Sequence, residues 1–511
     1  MSPTPLASLR AVSKSFGETR AVQGVDLDVA SGEVLAVVGE NGAGKSTLMR
    51  MLAGIHAPDS GQVDVAGRPL APRPAAAIAA GIGMVHQHFM LVGRLSVAEN
   101  VVLGEEPRRG FFLDLGRARA AVRELSREHG LAIDPDRLVD DLSVGERQRV
   151  EILKVLYRGT RLLVLDEPTA VLTPDESRRL ITMARAFAAR EGHAVVIVSH
   201  KLDEVLSVAD RIVVLRRGCK VSTALRGATT AEELADAMVG RHVELPRRTA
   251  GDAPREGSAL LELRGLKVRR DDGTIAVDGI CLGVRGGEIV GVAGVEGNGQ
   301  AELVSAVAGL ARPAAGSIVL SGRDVSRLDV AERQALGLAV IHEDRQLRGL
   351  LLGLSVAESF ALGRTSEWTR RGLFDRGRLA ASAAAGMKRF DVRADGPTTP
   401  VAALSGGNQQ KVVCAREVGR QHVVLVAAQP TRGVDIGAIE VIYRELLADR
   451  ARGAAILLIS ADLGELRALC DRILVLYRGR IVGEATAQEA SDERLGRWMT
   501  GAESVGEARD A

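Results

Sequence analysis

Residues 39–47 have types and a spacing that could bind phosphate groups. They match the pattern G-x-x-x-x-G-K-[ST] at every fixed position, in the order Gly39-Glu40-Asn41-Gly42-Ala43-Gly44-Lys45-Ser46-Thr47. Glycines in such a loop let several backbone N–H groups point at phosphate oxygens, and the N-terminus of the following helix adds partial positive charge. In this pattern Lys45 reaches the β- and γ-phosphates, and the Ser46 hydroxyl is a ligand of Mg²⁺. The alternative is a glycine-rich turn with an incidental lysine.

The sequence around this loop favours phosphate binding over an incidental turn. The apolar run at 34–38 predicts a buried parallel strand, and the residues after Lys45 predict a helix. A strand, a loop and a helix in this order are the context that the motif requires.

Further polar residues follow apolar runs that predict strands. The run at 162–165 leads into Asp166-Glu167, the segment 84–90 presents Gln87 at a predicted strand end, and the run at 195–198 leads into Ser199-His200. Adjacent carboxylates could be a solvated loop pair, but their place between a strand and Pro168 argues against that alternative. The strands alternate with helical stretches, including a helical insert predicted over 117–138, which is typical of an α/β domain with a largely parallel sheet.

Length and charge limit the class of protein. A chain of 511 residues is too long for one hydrophobic core and predicts two to four domains. Apolar residues make up 46% and charged residues 26%, an ordinary soluble composition. The formal net charge of +2 predicts no nucleic-acid partner. We interpret the basic pairs Arg108-Arg109 and Arg370-Arg371 as solvated faces.

Three further features bear on location and redox chemistry. No apolar run approaches the roughly 18 residues that a membrane-spanning helix needs, so we expect membrane contact only through partners. The N-terminal residues lack the basic region and apolar core of a signal peptide, which predicts a cytosolic chain. Four cysteines lie far apart without metal-ligand spacing, so we expect thiols rather than a metal site or a disulfide.

The chain is a tandem repeat. Ala-Val-x-Gly at Ala21 recurs 255 residues later at Ala276, and Leu-Ser-Val-Ala-Glu at Leu95 recurs 259 residues later at Leu354. Leu-Ser-x-Gly recurs at an offset of 262 and Asp-Arg-Ile at an offset of 261. Nearly constant offsets indicate two homologous halves with small insertions.

Domain limits follow from the repeat and from a polar Pro/Gly segment between its halves. We predict a first domain at 5–240, a linker at 241–258, a second domain at 259–501 and a tail at 502–511. Each domain is predicted to have a mainly parallel sheet core with a helical subdomain.

The ordered set of motifs in the first half resembles the ATP-binding-cassette (ABC) ATPases, and the resemblance covers nearly the whole chain. It implies that ATP and Mg²⁺ are bound. The nucleotide would be held by Phe16, stacking on adenine, and by the loop residues Gly39, Asn41, Gly42, Gly44, Lys45, Ser46 and Thr47. Metal contacts are implied for Ser46, Gln87 and Asp166, and catalytic roles for Gln87, Glu167 as the general base and His200 at the γ-phosphate. Phe16 could instead be a core residue, and His200 a structural one.

The second half lacks most of these residues. Gln300 and Ala301 stand where the first half has Lys45 and Ser46, and Ala428-Gln429 replaces Asp166-Glu167. Ala461 replaces His200, Glu343 replaces Gln87, and no aromatic lies near Asp271, which aligns with Phe16. We expect no ATP hydrolysis by this half's own residues.

The signature sequence, in contrast, is closer to the family pattern in the second half than in the first. The second half has Leu404-Ser405-Gly406-Gly407-Asn408, close to the family's L-S-G-G-Q, whereas the first half has Val144 and Glu146 at the third and fifth positions. In the family each nucleotide lies between the phosphate loop of one cassette and the signature of the other. The resemblance therefore implies one competent composite site, in which Ser405, Gly406 and Gly407 serve the nucleotide in trans.

The overall pattern is similar to the ATPase subunits of bacterial carbohydrate-type importers. Local sequences at 86–92 and 460–465 favour the nucleoside branch over the ribose or galactose branch. This resemblance implies two transmembrane permease subunits, an extracytoplasmic solute-binding protein acting through them, and a place on the cytoplasmic face of the inner membrane. Alternatives are a ribosome-associated tandem-cassette ATPase, a non-hydrolysing regulatory binder and a dinucleotide-binding enzyme.

Overall fold

The computed structural model describes residues 5–86, 89–169, 172, 174–199, 201–248, 257–295 and 297–501. The chain divides into two compact units, Met1–Val243 and Glu244–Ala511. No helix in the described ranges is long and apolar enough to cross a membrane.

A six-stranded sheet forms the centre of the first unit. Its order is β12-β11-β3-β10-β9-β6, and every neighbouring pair is parallel except β11 with β12. The central strands are runs of Val, Leu and Ile because parallel strands are buried on both faces. The strands are β3 (Val34–Gly39), β6 (Ile82–Val85), β9 (Leu162–Asp166), β10 (Ala194–Val198), β11 (Arg211–Arg216) and β12 (Cys219–Leu225).

The first unit also has a four-stranded antiparallel sheet in the order β2-β1-β4-β5. Its apolar face shares one hydrophobic core with the central sheet and with the helix that follows β3. Its strands are β1 (Ala7–Phe16), β2 (Thr19–Val29), β4 (Ser60–Val65) and β5 (Arg68–Pro69).

Five helices of the first unit contribute to a second core with the other face of the central sheet. They are α3 (Val97–Val102), α4 (Leu115–Glu128), α5 (Val144–Tyr157), α6 (Pro174–Ala188) and α7 (Leu202–Val208). Helices α1 (Lys45–Leu52) and α2 (Pro74–Ala79) belong to the first core, and α8 (Ala231–Val239) and a 3-10 turn at Val139–Asp141 complete the unit. A two-stranded hairpin, β7 (Arg108–Arg109) and β8 (Phe112–Leu113), lies between α3 and α4.

The predicted helical insert over 117–138 is longer than the observed helix. Helix α4 ends at Glu128, and Gly130 has a φ of 67°, which a right-handed helix cannot contain. The chain then runs without helix to the turn at Val139–Asp141.

The second unit repeats this topology. Its antiparallel sheet has the order β14-β13-β16-β17, and its six-stranded sheet has the order β18-β21-β22-β15-β23-β24, in which only β24 is antiparallel to its neighbour. Its strands are β13 (Ala259–Arg269), β14 (Ile275–Arg285), β15 (Ile289–Ala293), β16 (Ala315–Leu320), β17 (Arg323–Asp324), β18 (Leu338–Ile341), β19 (Thr369–Arg370), β20 (Leu373–Phe374), β21 (Val424–Ala428), β22 (Ala455–Ser460), β23 (Arg472–Tyr477) and β24 (Arg480–Thr486).

The helices of the second unit follow the same order as those of the first. They are α9 (Gln300–Ala308), α10 (Val330–Ala335), α11 (Val356–Ala361), α12 (Arg376–Arg389), α13 (Gly406–Val418), α14 (Ile436–Arg452), α15 (Leu463–Leu469) and α16 (Asp492–Thr500). A π-helical turn at Arg345–Gly349 and 3-10 turns at Thr365–Trp368 and Val401–Ala403 complete the set.

Candidate functional site

The predicted phosphate loop connects β3 to α1, as its sequence context requires. Gly39 is the last residue of β3, and α1 begins at Lys45. Gly44 has a φ of 99°, and a Cβ at this position would collide with the carbonyl oxygen of Ala21. Both the conformation and the close backbone contact therefore require glycine at position 44. Gly42, with a φ of 80°, is exposed within the loop.

Lys45 lies inside the loop rather than on its outer surface. Its side chain is buried, and its Nζ donates hydrogen bonds to the carbonyl oxygens of Gly39 at 2.8 Å and Glu40 at 3.0 Å. The loop thus surrounds an ammonium group at the N-terminus of a helix, an arrangement that favours bound anions. Asn41 and Thr47 are half-buried at the two ends of this loop.

Oxygen groups suited to a divalent cation lie beside the lysine. The Ser46 Oγ is 3.4 Å from the Asp166 Oδ1, and Asp166 is the last residue of β9. Burial raises the pKa of the Asp166 carboxyl group above its usual value, whereas the hydrogen bond from Ser46 lowers it. A hydroxyl and a carboxylate oxygen are ligands that Mg²⁺ accepts, so these two residues fit the metal role implied for them.

Glu167 has a strained backbone. Its φ is 50°, in the left-handed region that non-glycine residues seldom adopt, and its N–H donates to the carbonyl oxygen of Val198 at 2.9 Å. In the second unit Gln429 has a φ of 49°, and its N–H donates to Ile459 at 2.8 Å. The second unit therefore keeps the backbone geometry of this position but has no carboxylate there.

Gln87 and His200 lie outside the described residues, so their predicted roles stay predictions. The strands that lead toward them are β6, which ends at Val85, and β10, which ends at Val198. Both strands are parallel to β9.

Phe16 is the last residue of β1 and is 47% exposed. The imidazole of His56 meets its ring edge-on, with 5.4 Å between ring centroids, and the Lys14 Nζ lies 5.8 Å from the centroid of the Phe16 ring. An exposed aromatic ring that its neighbours hold in place is suited to stacking on a base.

The corresponding loop of the second unit has different electrostatics. The Gln300 Nε2 donates to the carbonyl oxygen of Val295 at 3.0 Å, so a neutral amide is held in the loop where the first unit holds an ammonium group. Glu302, which aligns with Thr47, forms a 2.6 Å ion pair with Arg270, and Arg270 also donates to Gly297. The nearby guanidinium is therefore already neutralised by a carboxylate.

The two signature segments have the same local structure. Ser143 is the N-cap of α5, where its side chain accepts a hydrogen bond from the Glu146 N–H. Ser405 is the N-cap of α13, where its Oγ accepts hydrogen bonds from the Asn408 N–H and from the Asn408 Nδ2 at 3.0 Å. Both serines are exposed.

The charged side chains that lie against glycines of the two signatures differ. A Cβ on Gly406, which aligns with Val144, would meet the Arg345 guanidinium at 2.5 Å, whereas a Cβ on Gly145 would collide with the Glu176 carboxylate. That carboxylate forms a 3.6 Å ion pair with Arg149, so the guanidinium beside the first signature already has an anionic partner. The sequence did not predict Arg345 or Glu176 as site residues, because each lies outside the signature motif that its side chain contacts.

The comparison with known families agrees with the tandem repeat of the chain. The ABC transporter family model matches residues 22–170 and again 277–432. The chain belongs to the ABC transporter family, and it contains two ATP-binding cassettes. The predicted family and fold class are confirmed, and the protein is an ATP-binding ATPase of that family.

Relatives match over nearly the full length. The nucleoside import ATP-binding protein NupA of Lactococcus lactis is 43% identical, covering 96% of this chain and 97% of its own. The guanosine import ATP-binding protein NupO of Bacillus subtilis is 40% identical, covering 96% of both chains. The ribose import ATP-binding protein RbsA 1 of Rubrobacter xylanophilus is 41% identical, covering 96% of this chain and 97% of its own.

Proposed function

We propose that this protein is the ATPase subunit of an importer, and that ATP hydrolysis at one competent composite site drives the uptake of a nucleoside. The observation that carries the proposal is the contrast between the two units. The first has a buried lysine, a Ser–Asp oxygen pair and Glu167 around its phosphate loop, whereas the second has an amide and a carboxylate-neutralised arginine.

In this proposal the first unit performs the chemistry. Lys45 and the loop N–H groups bind the β- and γ-phosphates of ATP, and Glu167 accepts a proton from the water that attacks the γ-phosphorus. The P–O bond to the β-phosphate breaks, giving ADP and phosphate. Ser46, Asp166 and Gln87 would hold Mg²⁺, which neutralises phosphate charge when bound. His200 would contact the γ-phosphate and orient Glu167.

The second unit completes the site through its signature. Ser405, Gly406 and Gly407 would contact the γ-phosphate at the N-terminus of α13, where the helix dipole is positive. One contrast supports this signature over the one at Ser143. The Arg345 guanidinium lies against Gly406, whereas the Glu176 carboxylate lies against Gly145 and pairs with Arg149 at 3.6 Å.

The solute is proposed from local sequence and from relatives. The segments 86–92 and 460–465 favour the nucleoside branch, and the relatives named NupA and NupO are import proteins for nucleosides and guanosine. A simple sugar is the second candidate, since the similarly close RbsA 1 is named for ribose import.

The proposed partners are two transmembrane permease subunits, which receive solute from an extracytoplasmic binding protein. Coupling helices of the permeases would dock near Gln87 and Glu343 on the cytoplasmic face of the inner membrane. Exposed apolar side chains just after both positions support such docking: Met90 is 61% exposed in the first unit and Leu347 is 76% exposed in the second.

Uptake of labelled solutes by source cells tests this function. Cells carrying Glu167→Gln at matched protein level should lose guanosine and adenosine uptake but keep ribose and galactose uptake. ATP turnover should fall by about a hundredfold or more, because an amide cannot accept the proton. Gln429→Ala, at the aligned position of the second unit, is the matched control and should leave uptake unchanged. Loss of sugar uptake alone would assign the chain to the sugar branch, and unchanged uptake of every solute would refute the import function.

A further inference from the structure

Each unit has a short hairpin that exposes apolar side chains. In the first unit Phe111 is fully exposed and Phe112 is 80% exposed, between β7 and α4. In the second unit Leu373 is 77% and Phe374 is 40% exposed, on β20. Adjacent exposed phenylalanines are unusual on a soluble surface and point to a binding surface.

Both hairpins are ordered parts of the fold. Asp114 closes the first hairpin by donating its N–H to the carbonyl oxygen of Pro107 at 2.7 Å, and Asp375 closes the second by donating to Trp368 at 2.8 Å. Each aspartate is also the N-cap of the helix that follows, α4 or α12. The apolar side chains are therefore held on closed hairpins that are anchored to helices.

The two hairpins correspond to each other in the repeat. Arg-Arg-Gly at Arg108 recurs 262 residues later at Arg370, and Phe112 recurs at the same offset as Phe374. The second unit has lost the lysine, base and metal ligands of the first but keeps this basic and aromatic hairpin. The hairpin is therefore present in a unit that lacks the residues for ATP hydrolysis as well as in the unit that has them.

Each hairpin carries exposed arginines. Arg108, Arg109 and Arg371 are exposed, and Glu105 and Glu106 precede the first two of them in the chain. Between Thr369 and Arg378 the chain has four arginines and a single aspartate, which is the helix cap. Exposed guanidinium groups next to exposed aromatic rings are complementary to a surface with phosphate groups above an apolar layer.

We propose that each hairpin binds the surface of a bilayer containing anionic phospholipids. Phe111 and Phe112 in one hairpin, and Leu373 and Phe374 in the other, enter the boundary between headgroups and acyl chains. The arginines at their sides pair with lipid phosphates. This contact adds to the proposed function, which brings the chain to the membrane only through permeases, and it needs no partner protein.

Co-sedimentation of the purified full-length chain with protein-free, sucrose-loaded vesicles tests the proposal. Wild-type protein should bind vesicles of phosphatidylcholine mixed with phosphatidylglycerol, bind phosphatidylcholine alone weakly, and dissociate at high salt. Replacing the four apolar residues by serine should lower the vesicle partition coefficient by about tenfold or more. Arg108→Gln with Arg109→Gln should remove the preference of the first hairpin for anionic vesicles.

Matched controls lie elsewhere on the exposed surface. Leu225→Ser, at a 62% exposed position on β12, and the pair Arg312→Gln with Arg327→Gln should leave vesicle binding unchanged. ATP turnover should be the same in every variant, which shows that each is folded. Failure of the wild type to bind anionic vesicles, or equal binding by the serine variant, would overturn the proposal. Binding only to vesicles that contain permeases would overturn it too, in favour of a protein partner.

Discussion

Glu465 is a buried carboxyl group whose counterpart in the first unit has a cationic partner. In the first unit Glu204 lies 3.3 Å from the Lys201 Nζ and accepts a hydrogen bond from Thr169. In the second unit Asp462 aligns with Lys201, so Glu465 keeps the hydrogen bond from Thr431, at 2.9 Å, but has no lysine. Burial, and then the charge of Asp462, raise the pKa of Glu465 to about 7.

This carboxyl group should make the stability of the second unit depend on pH. Because its folded-state pKa exceeds the unfolded value of about 4.5, the folded state is favoured below that pH and loses stability as pH rises to about 7. A shift of that size corresponds to about 3 kcal/mol in the free energy of unfolding. The polar groups facing Glu465 are those of Thr431, Ser460, Asp462, Tyr443, Cys414 and Cys470.

Replacing Glu465 by Gln should remove this pH dependence, because the amide resembles the protonated acid and does not titrate. Urea unfolding followed by tryptophan fluorescence measures the effect directly, since Trp368 and Trp498 are both buried in the second unit and are the only tryptophans of the chain. The stability of the variant should exceed that of the wild type at pH 8 and match it at pH 4. A wild-type stability that is flat or rises over this interval would contradict the assignment.

At the residue scale the sequence predicted the groups that belong to motifs. Lys45, Ser46 and Asp166 lie together as their patterns indicated, because a phosphate loop and a strand end are local structures. The left-handed conformation of Glu167, the burial of Glu465 and the approach of Arg345 to Gly406 were not predictable. They depend on contacts between residues far apart in sequence.

At the element scale, the chain entering the second unit is held by an ion-pair network. The Arg248 backbone N–H donates to Ala468 at 2.8 Å, and its Nη1 lies 3.5 Å from the Asp471 Oδ1. Asp471 also pairs with Arg450 at 2.9 Å and accepts the N–H of Ile289, at the start of β15. One half-buried carboxylate therefore links α14, β15 and the residues leading into this unit.

Asp471→Ala should destabilise the second unit by about 3 kcal/mol, because it leaves the buried Arg450 and the half-buried Arg248 without their carboxylate. Tryptophan fluorescence during urea unfolding reports this loss. Asp210→Ala, at the aligned position of the first unit, is the matched control. Asp210 also accepts the N–H at the start of its strand β3. Its replacement should not shift the tryptophan-detected unfolding transition of the second unit. Equal shifts in both variants would mean that the network does not stabilise the second unit specifically.

The predicted elements were confirmed where the apolar pattern was continuous. The runs at 162–165 and 195–198 lie within strands β9 and β10, because buried parallel strands are apolar on both faces. The insert was predicted too long, since polar residues after Glu128 do not distinguish a solvated helix from a loop. The pairs Arg108-Arg109 and Arg370-Arg371 indicate only solvated faces in the sequence, because the two-residue strands of their hairpins give no periodic signal.

At the scale of the whole molecule, two units of the same topology differ in chemistry. The first has the lysine and the carboxylates for hydrolysis, and the second has the signature with a cation beside it. The proposed domain limits of 5–240 and 259–501, and the pairing of the first loop with the second signature, stay predictions. The central claim is that a single composite site turns over ATP.

ATP turnover by the full-length chain with Ser405→Arg or Ser143→Arg tests this claim most directly. Both serines are exposed N-caps, so each substitution removes the same kind of cap and introduces the same side chain. We predict that Ser405→Arg lowers kcat by about tenfold or more, whereas Ser143→Arg leaves it within about twofold of the wild type. Equal losses in the two variants, or a larger loss for Ser143→Arg, would contradict the one-site account.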